Sequence, residues 1–434
     1  MATAAPLKDT LDKHVVVVGG SYVGLAVAQE LLKLDKPPRV TVVERNEHFS
    51  HLCLRLPSLR YRVRKRAQGV HSLLHHAPLA APHLRANALS LSPSTRTLTL
   101  DRPVPGAGAE PASRELAYDA LVLATGTKLS PPGTMPGKGD KAEGVKYLQS
   151  IQSDLEKAGQ IVIVGGGAVG VQMACDLAVL YPAKRQHITL VQSRRLMPRF
   201  HPALHDLVQK RFDDLGVKTL LGVRADVPEG GYEALNERGG GAVRLNDGSE
   251  VRADYVIHAL GQSPNSQLLS SSLPSAILPS SYIRVSPSLL VAPSSPSEAA
   301  SVAQRIFALG DVADSGAPKA ARPAVLGQAP LVARNIARVL ARDSNVTSSS
   351  SEAPELELET HTPGAAAIHL TLGVVDSVVF RNPPSSGVDE RGEPRWDGEP
   401  HVTWRDDGAE DMGIEGVWAR RVPGFVTGPH SYHL

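Results

Sequence analysis

Apolar residues in this chain fall in short unbroken runs and not in strict alternation with polar ones. Residues 15–18, 120–124, 161–164 and 306–309 are the clearest of these runs. A run of four or five aliphatic residues predicts a strand buried on both faces, as in a parallel sheet covered by helices. Two of the runs lead directly into glycine clusters and then into helical spacing, over residues 25–34 and 171–181. The pattern therefore predicts an α/β chain with two Rossmann-like dinucleotide-binding domains. A hydropathy window would also flag residues 161–181 as a membrane span. Gly165, Gly166 and Gly167 argue instead for strand, turn and helix.

The first cluster reads Gly19-Gly20-Ser21-Tyr22-Val23-Gly24. Gly19 permits a tight turn, and Gly24 lets the helix pack closely on the sheet. Gly20 and Ser21 are small enough for a phosphate to approach the backbone, Ser21 standing where the fingerprint has its middle glycine. The free N–H groups and positive dipole end of the helix suit a pyrophosphate. The next strand ends in Glu44, about 20 residues beyond Gly24, where a carboxylate can accept bonds from ribose hydroxyls. Arg45 follows it and joins the candidate binding residues.

In the second cluster, Gly165, Gly167 and Gly170 complete the fingerprint. The strand after it does not end in an acid but runs into Gln192, Ser193, Arg194 and Arg195. A carboxylate there favours the free 2′-hydroxyl of NADH. A serine and guanidiniums accept the 2′-phosphate of NADPH, each charge-assisted bond being worth about 1.5–3 kcal/mol. Ser193 and Arg194 are thus candidate phosphate contacts, and the pattern favours NADPH with NADH as the alternative.

Composition narrows the choice of chemistry. The 434 residues allow two or three domains with a large core. Aromatics at 4% and a formal charge of +2 give no support for nucleic-acid binding. The only cysteines, Cys53 and Cys175, form no CxxC or CxxxxC pair, which excludes a local redox dithiol. His75-His76 stands without a spaced ligand set, so no metal site is expected. The basic cluster Arg60, Arg62, Arg64, Lys65 and Arg66 reads as a solvated face or a patch for anionic lipid or phosphate. No signal peptide, Arg-rich presequence or myristoylation site is visible, so a cytoplasmic protein is expected.

Three further strand-to-turn motifs follow: residues 118–126, ending in Thr125 and Gly126; residues 254–261, with Pro264-Asn265 after them; and residues 306–313, with Gly310-Asp311. Together with the two fingerprints they resemble the flavoprotein oxidoreductases with the fold of glutathione reductase, over residues 13–341. Within that group the chain is similar to the apoptosis-inducing-factor-like branch of ferroptosis-suppressor type, which includes fungal members. His48-Phe49-Ser50-His51 and the ending from Gly416-Val417-Trp418 to Pro423-Gly424-Phe425 add to the likeness.

The resemblance implies an NAD(P)H domain inserted in an FAD domain. Its expected boundaries are 13–129 and 270–343 for FAD and 130–269 for NAD(P)H. A linker follows at 344–363, then a C-terminal region at 364–434 with a mobile insertion at 383–400. By the same resemblance Glu44 would hold the FAD ribose, Asp311 the flavin's ribityl or pyrophosphate portion, and Thr125 and Gly126 would pass close to FAD. Gln172 stands where the branch often has glutamate, and with Lys319 it is the candidate catalytic group. Hydride would pass from NADPH or NADH to FAD, then electrons to a small-molecule acceptor of quinone type. A flavin monooxygenase and a flavin-bound signalling protein of weak turnover are the alternatives. A monomer or homodimer is expected, with peripheral membrane contact or the outer mitochondrial face entering by resemblance alone.

Overall fold

The computed structural model describes residues 11–46, 48–50, 70–72, 83–105, 111–131, 133–134, 140–345, 356–390 and 392–408. The chain divides into two compact units, both discontinuous in sequence. The first holds residues 1–49, 72–128 and 263–364; the second holds 50–71, 129–262 and 365–434.

In the first unit, five parallel strands form one sheet in the spatial order Ile306–Ala308, Ala120–Leu123, Leu11–Val18, Pro38–Glu44, His83–Arg85. The unbroken apolar run of the opening strand has a direct cause. Val15 and Val17 pack with Val27 and Leu31 of helix Tyr22–Lys33 on one face. Val16 and Val18 pack with Leu121, Leu123 and Ile306 on the other. Each of these side chains, fully buried, contributes about 1.5–3 kcal/mol. Helix Ala329–Asn345 adds Val332, Ile336 and Val339 to the first of these cores.

Residues expected as a linker include 356–363, and these lie along that last helix. Leu356 and Leu358 join the same core, Glu359 N–H donates to Asn335 Oδ1 at 2.8 Å, and Arg334 and Arg338 both pair with Glu359.

The second unit repeats the plan with four parallel strands, in the order Lys218–Leu221, Ile188–Gln192, Ile161–Val164, Tyr255–His258. Ile161 and Ile163 face a core with Ala174, Cys175 and Phe212, while Val162 and Val164 face one with Tyr232 and Val243. The segment open to reading as a membrane span is therefore strand Ile161–Val164, a turn and helix Ala168–Leu180. No helix among the described residues is long and apolar enough to cross a membrane.

The C-terminal antiparallel sheet, Ala367–Thr371, Ser377–Arg381 and His401–Arg405, belongs to this second unit. Its Leu370, Leu372, Val378 and Phe380 enter the core around Cys175. Arg211 anchors it by an ion pair to Asp376 and by an Nε–H bond to the Leu372 carbonyl at 2.8 Å. Residues 383–400, expected as a mobile insertion, hold the antiparallel pair Ser385–Val388 and Pro394–Trp396. The two strands are held by backbone pairing in a short, largely exposed ribbon.

Candidate functional site

Both sheets reverse their strand order beside their opening strand, and each reversal lies at the carboxyl ends of parallel strands. That is where open α/β sheets bind ligands. In the first unit the crevice is bounded by the turn after Val18 and the turn after Leu123. In the second it is bounded by the turns after Val164 and His258.

The two turns are built bond for bond alike. Gly19 N–H donates to the Val43 carbonyl at 2.9 Å, and Gly165 N–H donates to that of Val191 at 2.9 Å. Gly19 lies at φ +112° and Gly165 at φ +119°. A Cβ on Gly19 would stand 2.3 Å from the Ala124 carbonyl oxygen, and one on Gly165 would stand 2.5 Å from that of Ala259. A Cβ on Gly24 would meet the Gly19 oxygen at 1.8 Å, and one on Gly170 the Gly165 oxygen at 1.9 Å. Glycine is thus imposed at four positions by backbone contact.

Ser21 and Gly167 are the helix N-caps, with extended backbone. A Cβ on Gly167 would meet nothing within 4 Å. That space explains why serine is accommodated at the matching position of the first turn. Neither helix has a side-chain cap bond or an acid in its first turn. Both N-termini keep the positive character that an anion requires.

Glu44 closes the first turn. Its Oε2 accepts from Gly20 N–H at 2.7 Å, and its Oε1 accepts from the Asn46 backbone N–H at 2.9 Å and side-chain amide at 2.7 Å. The neighbouring Arg45 is exposed. In the second turn Gln192 takes the place of Glu44, its Oε1 accepting from Gly166 N–H at 2.9 Å. Sequence reasoning noted only that no acid stood there. The signal that identifies Gln192 is its position as the last residue of the strand after the fingerprint, the same as that of Glu44.

Downstream, Ser193 is half-buried and Arg194 exposed. Arg195, read from sequence as a second phosphate contact, is spent otherwise. Its Nη2 donates to the carbonyls of Pro198 and Phe200 and to Glu393 Oε2 at 3.0 Å.

The remaining candidates group in two places. In the first unit Thr125 Oγ1 donates to the Asn265 carbonyl at 2.7 Å, the Asn265 amide returns a bond to the Thr125 carbonyl at 2.9 Å, and Gly126 takes φ +63°. This pairing places the turn after Leu123 against the Pro264-Asn265 segment. Gly310 takes φ +73°, its N–H bound by the buried Gln328 amide at 2.8 Å. Gln328 ends a π-helical turn, Ala324–Gln328, and the sequence carried no signal for its role. Asp311 is largely buried, which pushes its carboxyl up, while the Lys319 ammonium opposes the shift. Lys319 donates to the Ala313 carbonyl and stands over the Tyr282 ring, 4.4 Å from its centroid.

In the second unit Gln172 donates to Thr371 Oγ1 at 2.8 Å. Cys175 is fully buried and its thiol is pushed well up by burial, so it is inert as a thiolate. His51, Cys53, the Arg60–Arg66 cluster, His75-His76 and the tail with Trp418 and Phe425 lie outside the described residues.

Comparison with known proteins agrees with this architecture. The chain is 32% identical to Fe-regulated protein 8 of Mycosarcoma maydis over 390 residues, 85% of this chain and 88% of that protein. It is 26% identical to ferroptosis suppressor protein 1 of Mus musculus over 384 residues, 85% and 89% of the two chains. The solved structure of the sulfide:quinone oxidoreductase from Aquifex aeolicus shares the fold with a TM-score of 0.64 at 18% identity, over 94% of this chain and 91% of that one. A model of the pyridine nucleotide-disulphide oxidoreductases matches residues 2–114 and 83–327. With both turns in place and that match spanning most of its length, the chain belongs to the pyridine nucleotide-disulphide oxidoreductase family.

Proposed function

We propose that the first turn binds FAD, that the second binds NADPH in preference to NADH, and that the chain is an NAD(P)H:acceptor oxidoreductase with a quinone as acceptor. The observation that carries this reading is the congruence of the two turns. Each has carbonyl oxygens where Cβ atoms would stand, and an uncapped helix N-terminus beyond. Two such cradles in one chain fit two dinucleotides, and one would serve a single cofactor.

Hydride transfer and the onward passage of electrons are the chemistry that a flavin and a nicotinamide supply when bound. The chain's own residues bind and orient. Gly19, Gly20, Ser21 and Gly24 would open the backbone to the FAD pyrophosphate. Glu44, already held by three N–H donors, would accept from ribose hydroxyls, with Arg45 at its side. Thr125 and Gly126 would line the opposite wall, and Asp311 would receive a bond from the ribityl or pyrophosphate portion. Lys319 would offset negative charge that develops on the bound flavin. Gly165, Gly167 and Gly170 would cradle the nicotinamide coenzyme, and Gln172 would help place its ring.

Coenzyme choice rests on charge. Gln192 presents a neutral amide where Glu44 presents a carboxylate, so nothing at that position repels a 2′-phosphate. Ser193 and Arg194 would receive it. The acceptor follows from the cysteines. Cys175 is buried and unreactive, and the two cysteines of the chain form no CxxC or CxxxxC pair. With no local dithiol to relay them, the acceptor would take its electrons at the flavin site itself, which suits a planar two-electron acceptor such as a quinone.

The test is anaerobic stopped-flow of the purified protein against NADPH and NADH, following the visible flavin band, then turnover with a soluble quinone. Fast bleaching, faster with NADPH, is the expected result. Bound FAD that neither coenzyme bleaches would sink the enzymatic reading and favour a binding or signalling role.

A further inference from the structure

The amino ends of the first unit's strands carry a second concavity, distinct from the crevice at their carboxyl ends. It is a cleft of about 260 Å³ lined by Ser94, Arg96, Tyr118, Ser301, Arg305 and neighbouring apolar atoms. Tyr118 lies two residues before strand Ala120–Leu123, and Arg305 directly precedes strand Ile306–Ala308. The cleft is thus separated from the Gly19 turn by the length of a four-residue strand, about 13 Å.

Three observations describe its chemistry. First, Tyr118 is 4% exposed, yet its hydroxyl has no hydrogen-bond partner among the described residues. A buried hydroxyl left unpaired is costly, and native folds keep few of them. Burial also pushes the phenol well above its ordinary range, so it stays a neutral donor. Second, two guanidiniums border the cleft and no acidic side chain lines it. Arg305 is 8% exposed and fixed by an Nη1–H bond to the Asp119 carbonyl at 3.1 Å. Arg96 is exposed, and its charge acts on the Tyr118 phenol. Third, the backbone around the cleft is held in unusual conformation. Arg96, Ala303 and Gln304 all have left-handed φ, at 53°, 47° and 57°. Non-glycine residues rarely adopt this, and such strain concentrates where a ligand is clamped.

We propose that this cleft binds a compact phosphate group, free or as the headgroup of a small phosphomonoester, through Arg96, Arg305 and the Tyr118 hydroxyl. The volume is below that of sites for drug-sized molecules, which limits the ligand to a few heavy atoms beyond the phosphate. Guanidinium pairs are the side chains best matched to phosphate oxygens, and the phenol donates a further bond. The site is independent of both glycine turns.

Calorimetric titration of the full chain with inorganic phosphate and with glycerol phosphate tests this, in the presence of excess FAD and NADP⁺. Saturable binding is expected, weakened about tenfold by Arg96→Ala and by Tyr118→Phe, each losing a bond worth about 1.4 kcal/mol. In phosphate-free buffer Tyr118→Phe should melt no lower than the parent, because the hydroxyl it removes is unpaired. Tighter binding of inorganic phosphate assigns the free ion, and tighter binding of glycerol phosphate assigns a phosphomonoester; either supports the site. Absence of saturable binding, binding that both substitutions leave unchanged, or a lower melting point for Tyr118→Phe without phosphate would each overturn it.

Discussion

Glu44 and Gln192 hold the same place in two copies of one turn. Glu44 Oε2 accepts from Gly20 N–H at 2.7 Å, and Gln192 Oε1 accepts from Gly166 N–H at 2.9 Å. The bond that braces the turn is conserved between the two while the charge is not. An amide oxygen serves the structural purpose as well as a carboxylate, so the charge is free to differ between the two turns.

Gln192→Glu should therefore keep the fold and alter the coenzyme. The introduced carboxylate retains the bond to Gly166 and repels a 2′-phosphate. We expect kcat/KM for NADPH to fall about tenfold or more, with NADH unaffected or improved. Steady-state kinetics with both coenzymes checks this, and an unchanged ratio would remove Gln192 from the coenzyme site.

Arg194 and Arg195 should separate cleanly. Arg194→Ala is expected to raise KM for NADPH about tenfold and leave the melting temperature within about 1 °C, as for an exposed side chain. Arg195→Ala breaks three hydrogen bonds, one of them to Glu393, and should lower stability by about 1–2 kcal/mol while preserving the coenzyme ratio. If Arg195→Ala alone shifts the ratio, the assignment is reversed.

The glycines of the second turn are not equivalent. Gly170→Ala forces a Cβ into the Gly165 carbonyl oxygen, 1.9 Å away, and should cost about 3 kcal/mol or more. Gly167→Ser places its Cβ in open space and copies Ser21 of the first turn, so its melting point should match the parent's. Thermal melts of the pair would decide it; a comparable loss in both would show that the turn does not tolerate serine.

His14 makes stability depend on pH. Burial, helped by the nearby Arg39 charge, holds its pKa down to about 4, against the opposing pull of the Ala117 carbonyl and Asp119; its ring is bonded on both sides, Nδ1 to the Ala117 carbonyl at 2.8 Å and Nε2 to Thr41 Oγ1 at 2.8 Å. Ala117 can only accept, so Nδ1 carries the proton and Nε2 accepts from the threonine. The unfolded chain takes up a proton near pH 6.5, whereas the folded one does so near 4. This contribution is complete above pH 6.5 and is lost as pH falls toward 4, on the order of 3 kcal/mol in all. Urea unfolding of the parent should lose that slope in His14→Gln, and an equal slope in both would place the titration elsewhere.

Much of this architecture was legible in the chain because its cause is local. An unbroken apolar run such as residues 161–164 is what a strand with two buried faces demands. The glycines at 19, 24, 165 and 170 answer to contacts within one turn or across to the adjacent strand. What escaped the sequence depends on pairs far apart in it. Arg195 looks like a phosphate contact until Glu393 is placed beside it, 198 positions on. Gln328 bracing Gly310, and Gln172 bonded to Thr371, leave no periodicity or motif. The C-terminal region reads as a separate appendage because Leu370, Val378 and Phe380 are too few to announce the core they join.

The interrupted sheet of the first unit has a consequence for how the chain is made. Leu121 pairs with Ile306, and residues 129–262 are synthesised in between. On the ribosome, strand Ala120–Leu123 therefore waits with one edge bare while a whole stretch of another unit emerges. Such edges recruit foreign strands, and pairings across long separations form slowly. A fragment ending before residue 306 would carry that bare edge permanently. Vectorial synthesis thus leaves the nascent sheet unfinished until its last parallel strand, Ile306–Ala308, arrives.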